Sequence, residues 1–216
     1  MKSTFHKHWV TLLLTIVVTC IPTLPPTLGN GLSNRVPVVT FLADTFGRSY
    51  QLPVTTFDGK PMDIASAHGW RVLYFWSSSC PCVRACETTS LVPLAREYAG
   101  KVTFYAVLSD GFDLGKTPAE LHSDVTSHHL PYSVVLDRSH AVAKELGAEV
   151  TTQTYVIDPS NRIVFSGAPD DSRQLLKSTG RTKATKTYLA TALKEALAGK
   201  ALSNPHPKGV GCIISW

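Results

Sequence analysis

The sequence predicts an α/β protein with a central mixed β-sheet and helices on both of its faces. Three observations carry that expectation. Apolar runs and helical periodicities follow one another in the order β-α-β-α-β-β-α, with long connections between the first strands. The run Val72 to Trp76 is continuously apolar, as in a strand covered on both sides, instead of alternating with polar residues. Late in the chain, Thr154-Tyr-Val-Ile-Asp158 and Arg162-Ile-Val-Phe-Ser166 flank a Pro-Ser-Asn turn, which makes an antiparallel hairpin. With 216 residues there is room for one domain with a full core, and a second is not expected.

In chain order, Val38 to Ala43 and Ser49 to Thr55 form an expected hairpin around Asp44-Thr45-Phe46-Gly47. Asp58-Gly59-Lys60-Pro61 is a turn signal, and Ile64 to Gly69 a short helix leading into the strand at Val72. From Pro81 a helix runs toward Gly100 with Leu91, Leu94, Ala95 and Tyr98 along one side. Pro93 lies inside it, which removes a backbone hydrogen bond and predicts a kink or break near Ser90. Val102 to Leu108 is the next strand, closed by Ser109-Asp110-Gly111. Thr117 and Glu120 have the spacing of a capping box, so a helix begins there and reaches His128 or His129. Pro131 to Asp137 is a strand, Ser139 to Leu146 a helix, and Gly147 its stop. Thr185 to Ala198 is amphipathic, with Leu189, Leu193 and Leu197 in line. Residues Ala201 to Trp216 form a proline-containing tail, expected to be flexible, that carries Cys212.

Residues 1–29 have the parts of a secretory signal: Lys2 and Lys7, an apolar stretch from Trp9 to Ile21, and a Pro/Thr/Gly-rich exit. The apolar stretch is short for a bilayer span of about 20 residues, so cleavage is expected over anchoring. Residues 30–37 read as a linker, 38–199 as the folded domain and 200–216 as the tail. The expected location is exported, periplasmic or secreted, with membrane attachment only if the leader is retained or Cys20 is lipidated. An oxidising compartment would let disulfides persist. Twenty-one basic residues against sixteen acids give +5, and setting aside Lys2 and Lys7 leaves +3, too mild to argue for nucleic acid. There is no basic stripe with interleaved aromatics, no glycine-rich phosphate loop and no internal repeat.

The chemistry-bearing stretch joins strand to helix: Trp76-Ser77-Ser78-Ser79-Cys80-Pro81-Cys82-Val83-Arg84-Ala85-Cys86. Pro81 opens the helix, so Cys80 and Cys82 sit at its N-terminus, where unsatisfied N–H groups favour thiolate over thiol. Cys80 is the expected nucleophile, with Cys82 in the first turn as helper or resolver. A disulfide between residues two apart closes a small, strained ring. Cys82 and Cys86 share a helix face, a spacing better suited to a common metal ion than to a disulfide. Cys212 is either a resolving thiol that folds back on the helix start or part of a static or intermolecular disulfide. Four cysteines beyond the leader allow three complete pairings, and spacing does not choose among them. The His128-His129 pair at a helix end reads as solvated or dipole-stabilised and not as a pair of ligands, and Asp170-Asp171 as a loop pair without a catalytic role.

Three segments together resemble the thioredoxin-like superfamily and, within it, the exported redoxins related to alkyl hydroperoxide reductase and thiol-specific antioxidant proteins (AhpC/TSA). They are Tyr74-Phe-Trp-Ser-Ser-Ser-Cys80-Pro81-Cys82, Tyr155-Val-Ile-Asp-Pro-Ser-Asn-Arg-Ile-Val164 and Gly211-Cys212-Ile213. The resemblance implies a thioredoxin-like fold and a thiol–disulfide oxidoreductase with Cys80, Cys82 and Cys212 as its catalytic thiols. Ser77, Pro81 and Thr152 would support them. It implies no cofactor; its partners would be a disulfide-containing protein substrate and a thiol electron donor.

Departures from the family patterns bear on this. Val83 stands where a Cys-x-x-Cys pair would place its second thiol, and Thr152 where thioredoxins place a cis-proline. Peroxiredoxins carry a hydroxyl three residues before the reactive cysteine, a place that Ser77 fills, but no arginine stands in Thr151 to Thr154 to polarise a peroxide. Thiol peroxidase of the peroxiredoxin type is therefore the alternative activity. A second alternative is a non-catalytic copper carrier using Cys82 and Cys86, as in copper-carrying members of the superfamily. These pair that spacing with a histidine where this chain has Asp158-Pro159-Ser160.

Overall fold

The computed structural model describes residues 50–172, 180 and 183–216, all within one compact unit. The expected leader, the linker and the strand at Val38 to Ala43 with its turn lie outside the described residues. Among the described residues, no helix is long and apolar enough to cross a membrane.

Seven strands form one mixed sheet: β1 (Pro53–Thr56), β2 (Pro61–Asp63), β3 (Trp70–Trp76), β4 (Val102–Leu108), β5 (Ser133–Leu136), β6 (Thr154–Ile157) and β7 (Ile163–Gly167). Their order across the sheet is β2-β1-β5-β4-β3-β6-β7. β3 runs parallel to β4 and β4 to β5, whereas β6 pairs antiparallel with β3 and with β7. β1 closes the other side, antiparallel to β5 and β2. β1 and β2 form a hairpin ahead of β3 about the turn signal Asp58 to Pro61, while most of the hairpin expected from Val38 to Thr55 lies outside the described residues. The β1–β2 hairpin turns at Asp58-Gly59, where Gly59 takes φ 83°, a region that costs a residue with a Cβ.

β3 sits between two neighbours and is buried along its length, which explains its uninterrupted apolar run. Its side chains alternate with period two. Val72, Tyr74 and Trp76 face one core with Cys80, Cys82, Val83, Leu91, Leu189 and Leu193. Leu73 and Phe75 face a second core with Ile64, Val142, Leu146, Tyr155 and Ile214. Helices α1 (Pro81–Cys86), α2 (Val92–Glu97) and α6 (Tyr188–Leu197) supply the first layer, and α5 (Ala141–Leu146) the second.

Between α1 and α2 the chain does not break. Glu87–Leu91 forms a π-helical segment with helical dihedrals at either end, so one continuous rod runs from Pro81 to Glu97. Pro93 has no N–H for the preceding turn, and the widened turn absorbs that loss without the sharp break the sequence suggested. α3 (Gly111–Leu114), unread in the sequence, is capped by Asp110, whose side chain accepts from the N–H groups of Phe112 and Asp113. α4 (Pro118–Ser127) begins with the expected capping box, Thr117 and Glu120 each bonding the other's backbone.

The tail is not a free end. Ser166 N–H donates to the Pro205 carbonyl and Ala168 N–H to that of Pro207. Further on, Val150 and Ile213 bridge antiparallel, Ile214 N–H donates to the Glu149 carbonyl, and Thr151 N–H to that of Cys212 at 2.8 Å. Ile214 is buried, which gives this backbone pairing an apolar anchor. Glycine permits the close approach. A Cβ at Gly167 would lie 2.0 Å from the Pro207 carbonyl oxygen, and one at Gly211 only 1.9 Å from that of Thr151.

Candidate active site

Cys80 is the N-cap of α1, in extended conformation, and Pro81 follows at the first helical position with its fixed φ and no N–H to satisfy. The Ser77 carbonyl accepts from the Cys80 N–H at 3.4 Å, closing the turn out of β3. Cys82 lies in the first turn of the rod. The docked tail brings Cys212 to the same place, its Sγ 3.9 Å from Cys82 Sγ. The sulfurs of Cys80, Cys82 and Cys212 all lie within 4.8 Å of one another. All four described cysteines are thiols. Cys86 is buried in the first core and is not a member of this cluster.

Thr151 organises the thiols. Its Oγ1 lies 3.2 Å from Cys80 Sγ and accepts from the Cys212 N–H at 3.1 Å. The Cys80 thiol is 4 % exposed, and burial alone would raise its pKa. Hydrogen bonds from Cys212 and Thr151, then from the backbone N–H groups of Val83 and Cys82, outweigh burial and hold it below the ordinary thiol range. Cys212 goes the other way. Burial, the hydrogen bond to Cys80 and the charges of Cys80 and Cys82 push it up to about 12. The same cluster thus moves two neighbouring thiols in opposite directions.

Thr152 fills the sequence place of the cis-proline but has different backbone geometry. Its φ is 67°, in the left-handed region that a β-branched residue rarely adopts, and its N–H donates to the Phe75 carbonyl at 2.7 Å. Proline could do neither. Its Oγ1 donates to the Val210 carbonyl at 3.0 Å, so Thr152 ties β3 to the tail. Ser77 is buried, and its hydroxyl faces Ser79 Oγ at 3.5 Å; the hydroxyl at Cys80 belongs to Thr151.

Two polar clusters that sequence reasoning missed grip Ser78, in the turn before Cys80. The Asp113 carboxylate accepts from Ser78 N–H and Oγ, both at 2.7 Å. Lys116 bridges Asp113 and Asp124, each at 2.7 Å, and also donates to Ser78 Oγ at 2.8 Å. Burial would raise the Asp113 pKa, but Lys116 and the serines bring it below the usual carboxylate value. On the other side Glu87 accepts from Trp76 Nε1 at 2.8 Å and Tyr74 OH at 3.1 Å, while its Oε2 lies 2.6 Å from His128 Nδ1. His128 Nε2 faces the Ser78 carbonyl at 3.2 Å. Of the histidine pair expected to be solvated or dipole-stabilised, His129 is exposed, whereas His128, at the helix C-cap, is buried against Glu87. Its one signal in the sequence was Glu87, an acid on the apolar side of the helix. Asp170 and Asp171 are buried clamps: Asp170 accepts from Thr89 Oγ1 and Ser172 N–H, Asp171 from Thr185 and Lys186.

A mixed sheet with a cysteine capping the helix after its central strand defines a thioredoxin-like redoxin. The AhpC/TSA family matches residues 48–166, more than half of the chain, and this protein belongs to that family. The crystal structure of a hypothetical protein from Sinorhizobium meliloti 1021 superposes with a TM-score of 0.68 at 24% identity, over 80% of this chain and 94% of that one. That of an uncharacterized conserved protein from Geobacillus kaustophilus gives 0.69 at 24% identity, over 80% and 92%. Both likenesses concern the fold. A comparison with curated proteins gave no match.

Proposed function

We propose that the protein is an exported thiol–disulfide oxidoreductase in which Cys80 is the nucleophile and Cys212 the resolving thiol, with Cys82 beside both. The observation that carries this reading is the opposite tuning of two neighbouring thiols, Cys80 lowered and Cys212 pushed up to about 12. The Cys80 thiolate attacks one sulfur of a substrate disulfide. The substrate S–S bond breaks, a mixed disulfide forms at Cys80, and the departing thiolate takes up a proton. That step consumes the Cys80 charge, which is one of the causes that keep Cys212 protonated. The Cys212 thiol then loses its proton more readily, attacks Cys80 Sγ and releases the substrate's second thiol. A Cys80–Cys212 disulfide remains, and a thiol donor reduces it. Cys212 comes from a separate segment and avoids the small ring that a Cys80–Cys82 bond would close.

Reduction of protein disulfides ranks above peroxide reduction because Thr151 to Thr154 offer no cation to stabilise a departing hydroxide. Export rests on residues 1–29, whose charged start and short apolar stretch suit a cleaved leader. The deciding experiment is a pair of single-turnover assays, one with an oxidised protein and one with hydrogen peroxide, on wild type, Cys80→Ser and Cys212→Ser. Disulfide reduction should vanish in Cys80→Ser, and Cys212→Ser should stall as a mixed disulfide. Rapid peroxide consumption with disulfide reduction unchanged in both variants would overturn the assignment.

A further inference from the structure

The spacing of the three sulfurs has a second meaning. Sulfurs in a disulfide are about 2.05 Å apart. A metal about 2.3 Å from each of three coplanar sulfurs instead sets them about 4.0 Å apart. Cys82 and Cys212 are 3.9 Å apart, and Cys80 lies within 4.8 Å of both. We propose that Cys80, Cys82 and Cys212 form a trigonal three-thiolate site for one Cu(I) ion.

The donor set selects the metal. Thiolates favour Cu(I) and Zn(II) among biological cations. Structural zinc is almost always four-coordinate, and among the described residues the converging donors are three sulfurs with no carboxylate or imidazole in the group. The site differs from the copper pairing the sequence suggested, since Cys212 takes the part there given to Cys86. Two ligands come from the start of the rod and the third from the tail, so the site is complete only while the tail is docked. Binding exchanges each thiol proton for a metal–sulfur bond with no change of oxidation state. An occupied site would also withhold all three sulfurs from oxidation.

The test is an anaerobic titration of the reduced full-length protein with Cu(I) against a chromophoric Cu(I) chelator, with no disulfide substrate present. One Cu(I) per chain is expected, with three sulfur neighbours by X-ray absorption. Cys212→Ser and Cys82→Ser should each weaken binding by more than about a hundredfold, above the loss typical of a supporting residue outside the ligand set. Cys86→Ala should stay within about threefold of wild type, less than half a decade in Kd. Gly211→Ala, which keeps every thiol but displaces the tail, should weaken binding as Cys212→Ser does. Circular dichroism confirms that each variant is folded. Wild-type affinity in Cys212→Ser, only two sulfur neighbours, or preferential loading with Zn(II) when both metals are offered would overturn the site.

Discussion

Thr151 Oγ1 stands 3.2 Å from Cys80 Sγ, a neutral hydroxyl buried completely beside a thiol that is itself almost closed to solvent. A hydroxyl in this position donates to the thiolate and favours its ionisation. Thr151→Val keeps the shape and removes the donor. The Cys80 pKa should move up, and its alkylation at neutral pH should slow by about 2- to 10-fold, the equivalent of one hydrogen bond of roughly 0.5–1.5 kcal/mol. Rates measured against pH check the direction; an unchanged profile would remove Thr151 from the account.

The two thiols should also separate in order of reaction. Cys212 is the more exposed, yet Cys80 should be alkylated first at pH 7 to 8, because it is held below the ordinary range and Cys212 is pushed up to about 12. Cys80→Ser removes a charge and a hydrogen bond from beside Cys212, so Cys212 should then react faster than in wild type. Mass mapping of alkylated peptides reads both. The two stability contributions depend on pH in opposite directions. Cys80, depressed in the fold, adds stability above the unfolded thiol pKa, and that is lost as pH falls through its lowered value. Cys212, raised in the fold, adds stability below the unfolded thiol pKa, and that is lost as pH rises toward about 12.

Glu87→Leu should be among the most damaging changes outside the thiols. Trp76 Nε1, Tyr74 OH and His128 Nδ1 all converge on this one carboxylate, and its removal leaves buried polar groups without their partner. The expected loss is several kcal/mol, since each buried donor left without a partner costs about 1–3 kcal/mol. Glu87→Gln retains an acceptor and should cost less. Urea unfolding of both variants tests the ranking, and equal losses would contradict it.

Gly211→Ala separates tail docking from thiol chemistry. Its Cβ would meet the Thr151 carbonyl oxygen at 1.9 Å, backbone against side chain, so the tail must shift. Cys212 should become more accessible to alkylation, and a mixed disulfide at Cys80 should persist longer than in wild type. If the mixed disulfide clears at the wild-type rate, Cys82 is sufficient as the resolver.

The fold was legible where local rules decide it. Val102–Leu108 is a strand over its expected span, and Thr117 and Glu120 make the capping box their spacing implies. Legibility failed where tertiary packing decides. The β1–β2 hairpin is too short to declare itself by alternation and is held by pairing with β5. α3 spans four residues and depends on one capping side chain, Asp110. At the site, Cys80 and Cys82 were readable from the strand-to-helix junction. Thr151 and Ser78 were not, because their partners lie 71 and 35 residues away in sequence.

The docking of the tail also fixes when the site can exist. Cys82 and Cys212 are 130 residues apart in sequence. During synthesis Cys80, Cys82 and Cys86 leave the ribosome long before Cys212, so for most of that time the helix start has thiols without their fourth companion. The β3–β4–β5 pairing uses no residue beyond Leu136, whereas the strand-like contact of Ile213 with Val150 needs the last segment. A chain that stops before Cys212 has Cys80 and Cys82 without their third sulfur. Assembly of the three-thiol cluster therefore waits on the segment that carries Cys212 and on its docking.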